Sequence, residues 1–376
     1  MISFWEKNSF TRYDIIIIGG GITGLSTACS LKENNPKKTV LVLERGIFPT
    51  GASTKNAGFA CFVKACEMLS DIKLSDAETV AQIALNRKNG LDKLRARLGD
   101  NNIGYIQNGG YELVFNDDTG FDLGEIEHLN QLLHPYFNSQ VFYDKTSEIG
   151  ALGFGNTKHL IYTPLEGQIN TGMMMQSLAA YATSLGVKII TGAEVIEFDE
   201  TENGISVFVN HRQLNENVEF ECEKLALCTN AFTGDFLPDL QISPGRGQVL
   251  ITKPIDNLKF KGTFHFEEGY FYFRDFGDRL LFGGGRNLDF ETETTTAYER
   301  NDYIISELKD FIDEVILPGQ AYEIDRVWQG IMGFTPDKKP IVKKITDSIA
   351  VGFGCNGMGV ALGSTTGEKL ATLLLE

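Results

Sequence analysis

The chain is short of the residues that build metal and disulfide sites: 376 residues hold six cysteines and five histidines. The cysteines (Cys29, Cys61, Cys66, Cys222, Cys228, Cys355) are scattered and form no C-x-x-C pair. A disulfide framework is therefore not expected, and reduced thiols in a cytoplasmic protein are. His128 and His134 have no cysteine or carboxylate at zinc-like spacing, so no structural metal is expected. No apolar run reaches the ~18 residues of a membrane span, and Met1 to Arg12 carries no secretory pattern. Basic residues are also few, 34 against 50 acidic, a formal charge of −16. That balance argues against nucleic acid or an anionic membrane surface as partner. Internal repeats and low-complexity linkers are missing as well.

What the chain has is 26 Phe, 12 Tyr and 40 Gly, with 42% hydrophobic residues, a globular composition of about two domains by length. Asp14 to Ile18 is a short β-branched run, the mark of a strand buried on both faces. Glycines 19 to 21 end it, and a helix opens there, running to about Lys32. Thr39 to Leu43 is a second buried strand closed by Glu44, which makes a βα-β beginning. Helices are expected over 77–98, 172–185, 297–312 and 359–375. Between them lies a strand-rich, aromatic-rich middle (248–252, 263–266, 270–273, 280–282) and a polar hairpin between Asn210 and Glu219. α/β segments at both ends bracket the β-rich centre, so one domain is assembled from separated segments and interrupted by a second.

Gly19-Gly20-Gly21-Ile22-Thr23-Gly24 fits G-x-G-x-x-G after a strand, at the start of a helix, with Glu44 closing the next strand. Glycines let the backbone approach a pyrophosphate, the helix N-terminus offers N–H groups, and Glu44 can accept ribose hydroxyls. A tight turn without a ligand is the competing reading, and the loop alone does not separate NAD from FAD. Two further segments favour FAD. Gly51 to Gly58 is a small-residue loop able to approach a phosphate–ribityl chain. Gly352 to Gly359 again joins a buried strand to a helix, whose positive end suits the pyrimidine edge of a flavin.

In order, these pieces resemble the D-amino-acid oxidase (DAO) superfamily of FAD-dependent amine oxidoreductases. This is the group of glycine oxidase, sarcosine oxidases and gamma-glutamylputrescine oxidase. The resemblance runs from IIIIGGGITGLSTACSL through GASTKNAG, SPGRGQVLITKP, GYFYFRDFGDRLLFGGGR and RVWQGIMGFTPDKKPIV to VGFGCNGMGVALGSTTGEKLATLLL. It implies a Rossmann-like, glutathione-reductase-type FAD-binding domain, α/β in class, interleaved with an α+β substrate domain built on an antiparallel sheet. The segments would be 13–90, 168–245 and 326–376 for FAD, with 91–167 and 246–325 for substrate. Implied FAD contacts are Gly19, Gly21, Ile22, Thr23, Gly24, Glu44, Arg45, Ala52, Ser53, Asn56, Ala57 and Gly58. Val195 would meet the adenine, Thr229, Asn230 and Ala231 the pyrophosphate side, and Asn356, Gly357, Met358, Gly359 and Val360 the flavin. The activity implied is oxidation of a C–N bond of a small amine or amino acid, with imine hydrolysis in water. An FAD-dependent 2-hydroxy acid dehydrogenase and a non-catalytic flavoprotein are the alternatives.

Three positions depart from relatives. Met332 stands where an arginine often binds substrate carboxylate. Gly330 replaces the cysteine that tethers flavin in sarcosine oxidases, so FAD is expected non-covalent. Leu281 replaces a lysine linked to oxygen use, which leaves the electron acceptor open. Alternation over Tyr270-Phe271-Tyr272-Phe273-Arg274 puts Tyr270, Tyr272 and Arg274 on one face, a substrate wall or a half-exposed strand. Lys55 either meets charge on the flavin ring or is solvated. Arg246 is an anion anchor or a domain-crossing salt bridge, Trp328 packs, and His265 is a satisfied strand histidine.

Overall fold

Ile15, Ile16, Ile17 and Ile18 are all buried, and alternate residues enter different cores: Ile15 and Ile17 one, Ile16 and Ile18 another. That is the pattern of a central strand covered on both faces. The computed structural model describes residues 2–118, 120–202, 204–211 and 216–376. Arg12–Ile18 lies in the middle of five parallel strands, in the order Ile349–Phe353, Glu216–Leu227, Arg12–Ile18, Val40–Glu44, Lys188–Thr191. Ile341–Lys344 adds an antiparallel edge, and Val195–Thr201 and Gly204–His211 extend Glu216–Leu227 as an antiparallel meander. Asn210 pairs with Asn217, while residues 212–215 of the expected hairpin lie outside the described residues.

Helices Ile22–Asn34, Ala77–Leu98, Thr171–Ser184 and Gly359–Leu375 cover one face of this sheet. The first and last cross at positions without side chains. A Cβ on Gly367 would stand 2.7 Å from both the Ser26 Cβ and the Thr27 N. The two ends of the chain are thereby locked side by side.

The second sheet runs Ile324–Phe334, Ser243–Thr252, Arg279–Gly284, Phe271–Phe276, Thr263–Phe266, Gly110–Phe115, Thr157–Thr163, Tyr143–Asp144. Its pairs are antiparallel except Thr263–Phe266 with Gly110–Phe115. One face buries Phe264, Phe266, Phe271, Phe273 and Phe282 under helix Asp302–Phe311. The rings interlock, with Phe264–Phe273 and Phe266–Phe271 stacked at 4.8 Å. The segment boundaries expected at 246 and 326 move. Ser243–Thr252 and Ile324–Phe334 form one continuous ladder, from Ser243 opposite Phe334 to Thr252 opposite Ile324, so the later of the two segments that build this sheet runs from 243 to 334, beside the earlier one at 110–163. The expected helix over 297–312 begins only at Asp302, capped by the Asn301 side chain.

Gly367→Ala tests the crossing. The added methyl has no room, so we expect a loss of about 1–3 kcal/mol in stability. Urea unfolding midpoints of the variant and wild type would measure it.

Candidate functional site

The C-terminal edge of the parallel sheet faces the free face of the second sheet across a cavity of about 690 Å³. This is the crevice where open α/β sheets bind ligands. At one end the strand Arg12–Ile18 passes into helix Ile22–Asn34 through Gly19, whose φ of +109° only glycine adopts without strain. A Cβ there would also stand 2.6 Å from the Cys228 carbonyl oxygen. The N-cap Gly21 has no side chain to cap this helix, and its first turn lines the cavity through Gly21, Ile22 and Thr23. The Ser53 hydroxyl accepts from the Ile22 N–H at 2.9 Å and ties the 51–58 loop alongside.

Glu44 is buried at the next strand's end. One carboxylate oxygen accepts from Gly20 N–H and the other from Gly46 N–H, each at 2.9 Å. Each oxygen keeps a lone pair for a further donor. Arg45 lies over the Phe232 ring at 3.8 Å, and both line the same end with Val195, Thr229 and Asn230. Helix Gly359–Leu375 also lacks a side-chain cap, and Asn356, Gly357, Met358, Gly359 and Val360 line the cavity at its start. Two helix N-termini whose own N-cap residues offer no side-chain acceptor, and a buried carboxylate, open into one cavity. That donor set fits a dinucleotide with phosphates at one helix and an electron-rich ring at the other.

Ala52, Ser53, Lys55, Asn56 and Ala57 line the middle. Lys55 reaches over the Tyr298 ring at 5.3 Å, and its carbonyl accepts from the Trp328 indole at 2.9 Å. Gly330 leaves room there: a Cβ would stand 3.2 Å from the Lys55 Cβ. Tyr270, Tyr272, Gly247, Val249 and Met332 wall the far side. Burial pushes the Tyr272 phenol up to about 12 and the His265 imidazole down to about 3, with Lys64 adding to the latter. Both are therefore neutral at physiological pH, and His265 packs edge-on to Phe59 at 4.9 Å.

Several expected contacts sit elsewhere. Gly24 is not on the cavity wall, because it packs against the Gly19 carbonyl within the turn. Gly58 is spent on the close approach of Ile169 and Arg274, and Ala231 is buried behind Thr229 and Asn230. Arg274 shares a face with Tyr272 but is covered by the 56–58 loop, where its Nε donates to the Ala57 carbonyl at 2.6 Å. Tyr270 precedes the strand, which starts at Phe271, and enters the cavity wall from the turn. Arg246 is a salt bridge, but not one between domains. It pairs with buried Glu293 at 2.6 Å inside the second layer.

Sequence reasoning missed Phe232, Lys64, Glu67, Phe334, Lys338 and Arg286, all on the wall. For Arg286 a signal existed: the run Gly283-Gly284-Gly285 that leads into it. No helix of the described residues is long and apolar enough to cross a membrane.

Residues 14–373 match the family model DAO, FAD dependent oxidoreductase. The bifunctional protein ThiO/ThiG of Trichormus variabilis is 24% identical over 370 residues, 96% of this chain and 53% of that protein. L-2-hydroxyglutarate dehydrogenase of Escherichia coli K12 is 26% identical over 238 residues, 62% of this chain and 51% of that protein. The chain thus matches about half the length of these two relatives. Among solved structures, L-proline dehydrogenase from P. horikoshii superposes with a TM-score of 0.76 at 18% identity, covering 96% of this chain and 93% of that one. The last likeness shows the shared fold.

Beside the cavity, buried Glu166 accepts from the Phe62 and Val63 N–H groups at 2.6 and 2.7 Å. Burial nevertheless pushes its carboxyl up to about 7. The folded state holds this proton more tightly than the unfolded chain, so the stability gained is complete below about pH 4.5 and lost as pH rises through 7. Glu166→Gln should flatten that decline, by at most about 3 kcal/mol between pH 5 and 8. Chemical unfolding of both proteins across this range measures it.

Proposed function

Because the chain belongs to the DAO family of FAD-dependent oxidoreductases, we propose that it oxidises a C–N bond of a small amine or amino acid. One observation carries the reading. A single cavity runs from the Gly19 turn past the 51–58 loop to the wall of Tyr270, Tyr272 and Met332, so cofactor and substrate share it. FAD, held without a covalent link, supplies the hydride acceptor. The residues to hold it are Gly19, Gly21, Ile22 and Thr23 at the pyrophosphate, Glu44 at the adenosine ribose and Val195 at the adenine. Ala52 to Ala57 would follow the ribityl chain, and Asn356 to Val360 border the flavin.

The wall's work is positioning. Tyr272 in its neutral form offers a hydroxyl donor rather than a base, and neutral His265 adds no charge. Apolar surface at Val249, Met332 and Phe59 excludes water, which favours the uncharged amine and holds its carbon for transfer. The imine product leaves to hydrolyse in water, giving a carbonyl compound and the released amine or ammonia. The −16 charge supports a small-molecule partner rather than nucleic acid, and six free cysteines support a cytoplasmic location. A second reading, oxidation of a 2-hydroxy acid, is favoured by the relative named a 2-hydroxyglutarate dehydrogenase.

The purified protein should be yellow with a flavin spectrum, and anaerobic mixing with amines, amino acids and hydroxy acids should bleach it with C–N compounds alone. Bleaching by hydroxy acids would favour the second reading, and none at all a non-catalytic flavoprotein. Glu44→Ala should weaken FAD retention about tenfold or more, the worth of one or two charge-assisted hydrogen bonds, read by gel filtration and fluorescence.

A further inference from the structure

Met332 leaves the arginine position after the Trp328–Gly330 motif without a cation, yet a guanidinium reaches the same neighbourhood from another strand. Met332 sits opposite Gly245 in the ladder between Ile324–Phe334 and Ser243–Thr252. Arg286 approaches Gly245 from the other side: a Cβ on that glycine would stand 2.9 Å from the Arg286 Nε. The turn that brings it there uses Gly284 and Gly285, with φ of +122° and +77°.

The setting of Arg286 is unusual for an arginine. Its guanidinium lies over two rings, Phe334 at 4.1 Å and Phe290 at 4.9 Å. These contacts fix the plane of the fork without using its N–H edges. The Nε is buried and has no hydrogen-bond partner, and no carboxylate lies within ion-pair distance of the side chain among the described residues. Neighbouring Glu293 is already spent on Arg246 and Gln248. Arg286 lines the cavity together with Tyr270, Tyr272, Gly247 and Met332. A buried, unpaired polar group costs stability, and the cost is recovered when a ligand brings the acceptor.

We propose that Arg286 binds the carboxylate of the substrate, so that the chain acts on amino acids in preference to plain amines. The inference rests on the C–N oxidation reading for its substrate and on the fork geometry for its anion. A carboxylate matches the planar fork with two parallel N–H···O bonds. With the carboxylate held there, the amine-bearing carbon lies toward Tyr272 and the centre of the cavity.

The test uses the FAD-loaded protein, Arg286→Met and Arg286→Lys, with benzoate and its uncharged isostere benzamide as probes. Benzoate, not benzamide, should perturb the visible flavin spectrum. Arg286→Met should weaken benzoate binding about a hundredfold and Arg286→Lys less, since a point charge keeps attraction but loses the fork. Without ligand, Arg286→Met should be at least as stable as wild type, because it removes a half-buried guanidinium whose buried Nε is unsatisfied, and its FAD content and spectrum should be unchanged. In anaerobic bleaching, glycine should outpace methylamine and L-proline outpace pyrrolidine, and Arg286→Met should erase both preferences.

Equal benzoate binding by wild type and Arg286→Met, or no benzoate binding at all, overturns the proposal. So does an altered spectrum or FAD content in unliganded Arg286→Met, which would make Arg286 a cofactor contact. Bleaching by plain amines as fast as by their carboxylated partners, unchanged in the variant, overturns it while leaving C–N oxidation standing. Arg286-dependent benzoate binding with no bleaching by any C–N compound supports the anion site and overturns the C–N reading alone.

Discussion

The contact between helix Ile22–Asn34 and helix Gly359–Leu375 is the constraint on which the rest of the molecule depends. At Gly363 and Gly367 the C-terminal helix has no side chain to hold Ile22, Ser26 and Thr27 at a distance. The two backbones approach closely enough for both N-termini to open at the same edge of the parallel sheet. A side chain at either glycine would drive the helices apart and separate the two positive ends that the cavity needs. Packing by subtraction of side chains thus creates the electrostatics of the site.

From this contact the second layer follows. The parallel sheet can fold only if its other segments return to it, so the aromatic sheet is inserted between them. Its phenylalanine face is sealed by a helix, which leaves the opposite face to close the cavity. The loop 51–58 is the seam between the layers. Ser53 holds it to the first helix, while Arg274 and Trp328 hold it to the second sheet through the Ala57 and Lys55 carbonyls. These three bonds fix the distance between the helix-end side of the cavity and the wall of Tyr270, Tyr272 and Met332 without occupying the space between them.

The parts legible in the sequence were those set by local pattern. A β-branched run ended by glycines has one reading, and Gly359–Leu375 and Thr263–Phe266 follow directly from their periodicity. Alternation places Tyr272 and Arg274 on one face but does not say what covers that face, so Arg274 under the 56–58 loop was out of reach. Tyr270 falls outside the alternation because Glu267, Glu268 and Gly269 all have positive φ, a turn that hydrophobic period does not register. The strand Ile324–Phe334 looks the same in sequence whichever sheet it joins. Only its ladder with Ser243–Thr252 assigns it, and that pairing spans about eighty residues of chain.

Three arginines on the aromatic layer show how burial sorts cations by what accepts from them. Arg246 is wholly buried and has Glu293, a full counter-charge that is itself wholly buried, so the pair is self-contained. Arg274 is equally buried but has the Ala57 carbonyl as its hydrogen-bond acceptor, and desolvation lowers its guanidinium to about 10. Its role is to brace the seam. Arg286 is half-buried, its ionised form also disfavoured by desolvation, with two aromatic faces against it and Nε unsatisfied. Ring contacts recover part of the cost of removing a guanidinium from water, but they leave its in-plane donors empty. Folding keeps such a group where a second molecule completes it, and of the three arginines this one borders the cavity. In a chain of net charge −16 acidic side chains are abundant, yet the neighbouring Glu293 is held by Arg246 and Gln248 and forms no ion pair with Arg286.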